Sequence, residues 1–142
     1  MKLKEENIFL NIDLKNKEEV FEFLEEKLIS LNLGNKEFIE SMKSRDKKAS
    51  VALGNYLALP HCEYEFSKKI KKSNLIIIKL KEKLIWDGSE ILFVICLISS
   101  NDEQMDILAN IGISFSDDDE VLNLFNTVKD AKQIIEFIEE ED

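Results

Sequence analysis

Three observations predict an α/β fold: a single-domain sandwich whose central mixed β-sheet of about five strands is flanked by helices on both sides. Two β-branched apolar runs, Leu75 to Leu80 and Ile91 to Ile98, read as buried central strands. Val20, Phe21, Leu24, Leu28 and Leu31 recur at helical spacing. Helical patterns gather at both ends of the chain, with strand-like pieces between them.

Taken in order, Ile8, Phe9 and Leu10 suggest a short first strand. Asn16 is placed to cap the first helix, with Glu18 and Glu19 near its positive end, and Gly34 is its expected stop. Asn35 caps a second helix that carries Phe38, Ile39 and Met42 toward Arg45 and Asp46. Ser50 to Leu53 and Tyr56 to Leu59 read as short strands around a Gly54-Asn55 turn. Pro60, which offers no N–H to a ladder, suits a strand end. Residues 64–72 are polar and lysine-rich, a short helix or a surface loop, and Asp87-Gly88 marks the turn between the central strands. Asn101 or Asp102 caps a helix bearing Met105, Ile107, Leu108 and Ile111. Ser116 caps the next, with Val121, Leu122, Leu124 and Phe125, and Asp130 begins the last, with Ile134, Ile135 and Ile138.

The 142 residues suffice for one domain, 1–142, with a real core. A net charge of -10 argues against nucleic acid and against docking on an anionic membrane. The acidic runs, Asp117 to Glu120 and then Glu136 and Glu139 to Asp142, read as solvated helix faces and a frayed tail, or as an attraction for a basic partner. Met1 to Glu6 lacks the apolar core of a signal peptide. The run from Ile91 to Ile98 falls far below the ~20 residues of a membrane span. The expected compartment is the cytoplasm, where Cys62 and Cys96 are free thiols.

The chain holds one histidine, His61, directly after its one proline. A lone imidazole builds neither a two-histidine metal site nor a histidine relay. It is the side chain whose ordinary pKa lies near neutrality, and it serves as base or nucleophile. Beside it, Cys62 raises a thiol–imidazole pair or a metal site. Neighbours in a strand or turn tend to point apart, and a metal would need further ligands, so no metal or cofactor is assigned. Cys96, in an apolar strand, reads as a small buried hydrophobe.

Ser41-Met42-Lys43-Ser44-Arg45-Asp46, then Ser50, Gly54 and Ala58-Leu59-Pro60-His61, form one constellation. It resembles the enzyme IIA domain of the mannitol/fructose class of the bacterial phosphoenolpyruvate-dependent sugar phosphotransferase system, with the mannitol branch fitting best. Glu6 to Leu10, Lys17-Glu18-Glu19, Trp86-Asp87-Gly88 and Asp117 to Val121 fall where that family has similar residues, so the likeness spans nearly the whole chain.

The resemblance implies that His61 accepts a phosphoryl group from the phosphorylated histidine carrier protein and passes it to a cysteine of an enzyme IIB domain. A membrane transporter is then reached only indirectly. Arg45 matches the family arginine near the active histidine, and its donor fork suits phosphoryl oxygens. Ser50 matches the small hydroxyl position and either donates a hydrogen bond or finishes a turn. Asp46 holds Arg45 or a backbone amide in place. Leu59, Tyr56, Met105 and Leu108 are candidates for an apolar rim that meets partners.

Two positions depart from the family pattern. Gln104 falls where the family usually has a second histidine; it still donates an N–H at a helix opening suited to anions, but it carries no charge. Cys62 replaces a usual glycine and bears on access to His61. These departures keep an alternative in play: a regulatory enzyme IIA-like module whose His61 phosphorylation state controls a transcription factor or another partner. A third reading is a non-catalytic scaffold.

Overall fold

In the computed structural model, which describes residues 3–139, two side-chain caps set the first helices. Asn16 Oδ1 accepts from the Glu19 amide at 2.9 Å and opens α1 (Lys17–Ser30). Asn35 Oδ1 accepts from the Glu37 amide at 3.0 Å and opens α2 (Lys36–Lys48). The stop of α1 comes before Gly34. Asn32 adopts a left-handed φ of 58°, and the amides of Leu33 and Gly34 both return to the Leu28 carbonyl.

The sheet has four strands, β1 (Ile8–Ile12), β2 (Leu57–Ala58), β3 (Asn74–Trp86) and β4 (Ser89–Ile98), in the order β1-β3-β4-β2. The outer pairs are parallel and the central pair is antiparallel, so the sheet is mixed. The expected fifth strand, Ser50 to Leu53, shrinks to a single bridge between Ala52 and Ala58. Side chains have taken the amides that a ladder would use: Asp46 accepts from the Val51 N–H and Ser50 Oγ from the Ala52 N–H.

β3 runs past Leu80. A register shift between Lys79 and Leu84 carries the exposed Lys81, Glu82 and Lys83, after which Leu84 and Trp86 re-enter the core. Asp87 (φ 49°) and Gly88 (φ 87°) then make the tight hairpin turn that left-handed residues permit.

Period-2 alternation along β3 and β4 splits the core into two layers. Ile76, Ile78, Val94 and Cys96 face α1 and α2. Leu75, Ile77, Phe93 and Ile95 face α4 (Asn101–Ser114), α5 (Asp118–Thr127) and α6 (Ala131–Glu139). A one-turn helix, α3 (Tyr64–Ser67), follows the His61 segment. Two caps lie one residue from their expected places. Ser100, not Asn101 or Asp102, is the N-cap residue of α4, because Asn101 is already helical. Asp117, not Ser116, caps α5, its Oδ1 accepting from the Asp119 and Glu120 amides, while Ser116 Oγ donates back to the Ile113 carbonyl. Asp130 accepts from the Gln133 amide at the start of α6, as expected. Residues 140–142, the end of the acidic run, lie outside the described residues. None of the described helices is long and apolar enough to cross a membrane.

Candidate functional site

His61 sits where a short hairpin meets the sheet edge. The Leu53 amide donates to the Leu57 carbonyl and the Leu59 amide to the Val51 carbonyl, closing a loop whose turn residues Asn55 and Tyr56 both have φ of 62°. The turn is thus one residue later than Gly54-Asn55 suggests, and a bulky tyrosine occupies a conformation that favours glycine or asparagine. Asn55 Nδ2 anchors it to Asp118 Oδ1 at 2.5 Å. On the other side the Leu97 amide donates to the Pro60 carbonyl at 2.9 Å, and His61 bridges Leu97 in parallel. His61 therefore lies beside the end of β4, the point where the chain turns into α4.

The ring is half-buried, and its Nδ1 lies 2.7 Å from the Leu59 carbonyl. A carbonyl only accepts, so Nδ1 carries the proton and Nε2 keeps its lone pair. Burial foremost holds the pKa below the ordinary 6.5; the Leu59 carbonyl opposes this, and the Arg45 charge adds to it. Near neutrality the ring is uncharged and held in one tautomer.

Beneath the segment runs one face of α2. Ser41, Ser44, Arg45 and Lys48 have the i, i+3, i+4, i+7 spacing of a single helical stripe. Ser41 Oγ accepts from the Glu63 amide at 2.9 Å, Ser44 Oγ donates to Glu63 Oε2 at 2.9 Å, and Lys48 pairs with Glu63. Lys48 first and then Ser44 lower the Glu63 pKa, and the Arg45 charge contributes. Arg45 is thereby placed within electrostatic reach of both His61 and Glu63. Its Nη1 donates to the Ala49 carbonyl at 2.8 Å, which fixes the guanidinium on the last turn of α2.

Asp46 holds the other end of the segment. Its carboxylate is buried and accepts from the Val51 amide (3.0 Å), Trp86 Nε1 (3.1 Å) and Lys17 Nζ (2.9 Å). Asp46 thus holds a backbone amide, as expected, and its three partners do not include Arg45. Lys17 also reaches Asp87 at 2.9 Å, and these two carboxylates raise its pKa. A run of contacts follows: Asp46 to Val51, Val51 to Leu59, Leu59 to the His61 ring. Ser50 is exposed; its oxygen accepts from the Ala52 amide at 3.2 Å, and after Lys17 its hydroxyl helps to lower the Asp87 pKa. Those partners give it a place in the turn.

Gln104 is half-buried in the first turn of α4, its amide donating to the Ser100 carbonyl. Asn101 Nδ2 donates to the Tyr64 carbonyl at 3.3 Å, so the opening of α4 is tied to the chain just beyond His61. Cys62 points the opposite way, into the core, where burial pushes its thiol up to about 12. Cys96 is fully buried with Sγ 3.7 Å from Met42 Sδ, and burial raises its pKa as well. Neither thiol is a nucleophile at neutral pH. Of the expected apolar rim, Leu59 is buried, Tyr56 and Leu108 are half-buried, and Met105 is exposed. Ser41, Ser44, Lys17 and Trp86 stand in segments that carry the resemblance but had no assigned role at the site, and Lys48 and Glu63 had no signal of their own. The α2 stripe was visible as helical spacing; the Trp86 contact, forty residues from Asp46, left no local signal.

Fold and site together define an α/β sandwich that offers one uncharged, tautomer-locked imidazole at its rim, with an arginine close by. Residues 1–141 match the family described as phosphoenolpyruvate-dependent sugar phosphotransferase system, EIIA 2. The chain is 41% identical over 140 residues to a mannitol-specific phosphotransferase enzyme IIA component of Mycoplasma pneumoniae, covering 97% of each. It is 30% identical over 137 residues to the component of that name from Staphylococcus aureus, covering 96% of this chain and 94% of the relative. Among solved structures, the complex of enzyme IIA and phosphorylated enzyme IIB for mannitol from Escherichia coli shares the fold, with a TM-score of 0.85, 22% identity and 98% of each chain covered. The chain belongs to the EIIA 2 family of the sugar phosphotransferase system.

Proposed function

We propose that His61 is the phosphoryl-carrying residue of a mannitol-type enzyme IIA that works in the cytoplasm. Nε2 takes the group from the phosphorylated histidine carrier protein and delivers it to a cysteine of an enzyme IIB domain. The observation that carries this reading is the 2.7 Å contact between Nδ1 and the Leu59 carbonyl, which leaves Nε2 as the free nucleophile on an uncharged ring. On acceptance an N–P bond breaks on the carrier's histidine as one forms at Nε2; on delivery the Nε2–P bond breaks as an S–P bond forms on the enzyme IIB cysteine. What the protein supplies is alignment and charge. Arg45 neutralises the phosphoryl oxygens from the α2 stripe, and Gln104 offers an amide N–H from the opening of α4. Ser50, which accepts from the Ala52 amide, holds the turn. The relatives named mannitol-specific support the sugar assignment, although the choice of sugar rests with the membrane component.

Incubation with phosphoenolpyruvate, enzyme I and the carrier protein tests the reading. The chain should gain one acid-labile phosphate, His61→Ala none, and Arg45→Ala should acquire it ~10–100-fold more slowly. A matching enzyme IIB should then drain the label. Labelling of His61→Ala at the native rate would overturn the proposal, and a label that enzyme IIB leaves in place would point to a regulatory module instead.

A further inference from the structure

We propose that the cleft between the Leu31–Leu33 turn, Phe38 and residues 69–74 binds a small phosphate ester. The cleft has a volume of about 520 Å³, within the range of small-ligand sites. Lys4, Lys69, Lys71 and Lys72 line it, and no acidic residue does. The chain carries 29 acidic residues against 19 basic ones, so a cleft lined by four lysines and no carboxylate goes against its composition. Among the described residues, none of these four makes an ion pair, whereas Lys17, Lys48, Lys68 and Lys83 each do. Gathering like charges raises the free energy of the folded chain, and a bound anion would relieve it.

Three of the lysines, Lys69, Lys71 and Lys72, are carried on an anchored segment. Ile70 is buried in the core, its amide donates to the Ser67 carbonyl, and Ser73 Oγ bonds Glu103 Oε1 at 2.7 Å. Much of the ordering cost is therefore met before any ligand arrives. The lining also includes the apolar Phe38, Ile70 and Ile98 and the amide-bearing Asn32 and Asn74, while Lys69 Nζ lies over the neighbouring Phe66 ring. Ammonium point charges suit phosphate oxygens, the amides suit hydroxyl groups, and the apolar residues suit a carbon skeleton. The net charge of -10 disfavours an extended polyanion such as nucleic acid or an anionic membrane, which would meet acidic surface beyond the cleft. Ile98 follows Leu97, the residue bridged by His61, so the cleft includes a residue of the strand end beside the His61 segment.

The inference does not depend on the role of His61. The full chain would be titrated with a hexose 6-phosphate and followed by amide NMR, with the unphosphorylated hexose and sodium chloride at matched ionic strength as references. Saturable shifts at Asn32, Phe38, Ile70 and Asn74, absent with the hexose, are expected. In the double variant Lys69→Gln/Lys72→Gln the affinity should fall about tenfold or more, with the unfolding midpoint and the His61 labelling rate unchanged. Shifts matched by chloride would mean a diffuse counterion cloud and would overturn the proposal. So would equal binding of the bare hexose, or a glutamate-rich peptide that binds where the hexose phosphate does not.

Discussion

The segment from 50 to 63 and the β3–β4 hairpin from 74 to 98 lie side by side and are held by different physics. The hairpin is buried along 75–80 and 91–98, with Trp86, Phe93, Ile76 and Ile95 among its sealed side chains, and only its turn end is exposed. Burial on two faces dictates its conformation. The His61 segment has two residues of regular strand, two consecutive left-handed residues and a ring that is only half-buried. Side chains of α2 hold it at both ends: Asp46 on the Val51 amide, and Ser41, Ser44 and Lys48 on Glu63. A reacting group has to stay reachable, so it cannot be positioned by packing alone. Specific polar contacts take over that task.

The contrast can be broken most severely at the hairpin. Phe93 is fully buried, with ring centroids 5.6 Å from Phe115 and 6.0 Å from Phe125. Phe93→Ala should cost ~3–5 kcal/mol, the loss expected when a large core ring leaves a cavity. Urea unfolding measures it. A loss below about 1.5 kcal/mol would mean that the hairpin does not depend on packing.

At Asp46 the two regions meet, since one carboxylate serves both Trp86 of the hairpin and Val51 of the His61 segment. Asp46→Ala leaves two buried N–H donors and the Lys17 ammonium without their acceptor, at about 2–4 kcal/mol in all. It should also slow phosphoryl acceptance, because the Val51–Leu59 contact that aims the ring loses its support. Asp46→Asn keeps an acceptor and should restore part of both. A destabilised chain with an unchanged labelling rate would show that the segment holds itself in place.

The same contrast explains what the sequence disclosed. The hairpin's apolar runs, the helical stripes of α1 and α2 and the asparagine caps are local patterns, and they were legible. The end of β3 was not, because Lys81, Glu82 and Lys83 break the pattern and the register shift that accommodates them exists only in three dimensions. The fifth strand failed because Asp46 and Ser50 compete for its amides, a contest decided by where side chains point. His61 and Arg45 stood out by residue type and order. That Nδ1 meets the Leu59 carbonyl, and that Asp46 bridges to Trp86, follows from chain crossings that no spacing rule encodes.

The smallest expected effect concerns pH, and it separates the charge at His61 from the charge missing at Gln104. Transfer to an imidazole needs the unprotonated ring. Burial and Arg45 lower the His61 pKa, so the acceptance rate should stay level as pH falls through 6.5 and drop only below it. The sign for stability follows: the unfolded chain binds that proton more tightly, so the native state loses stability as pH falls below 6.5. Gln104→His adds a titratable donor at the opening of α4. Its protonated form would assist the phosphoryl group with a charge that glutamine lacks, raising the rate severalfold below neutrality and giving the profile a second limb. A single-limbed profile in the variant, at the native rate, would mean that residue 104 does not reach the phosphoryl group.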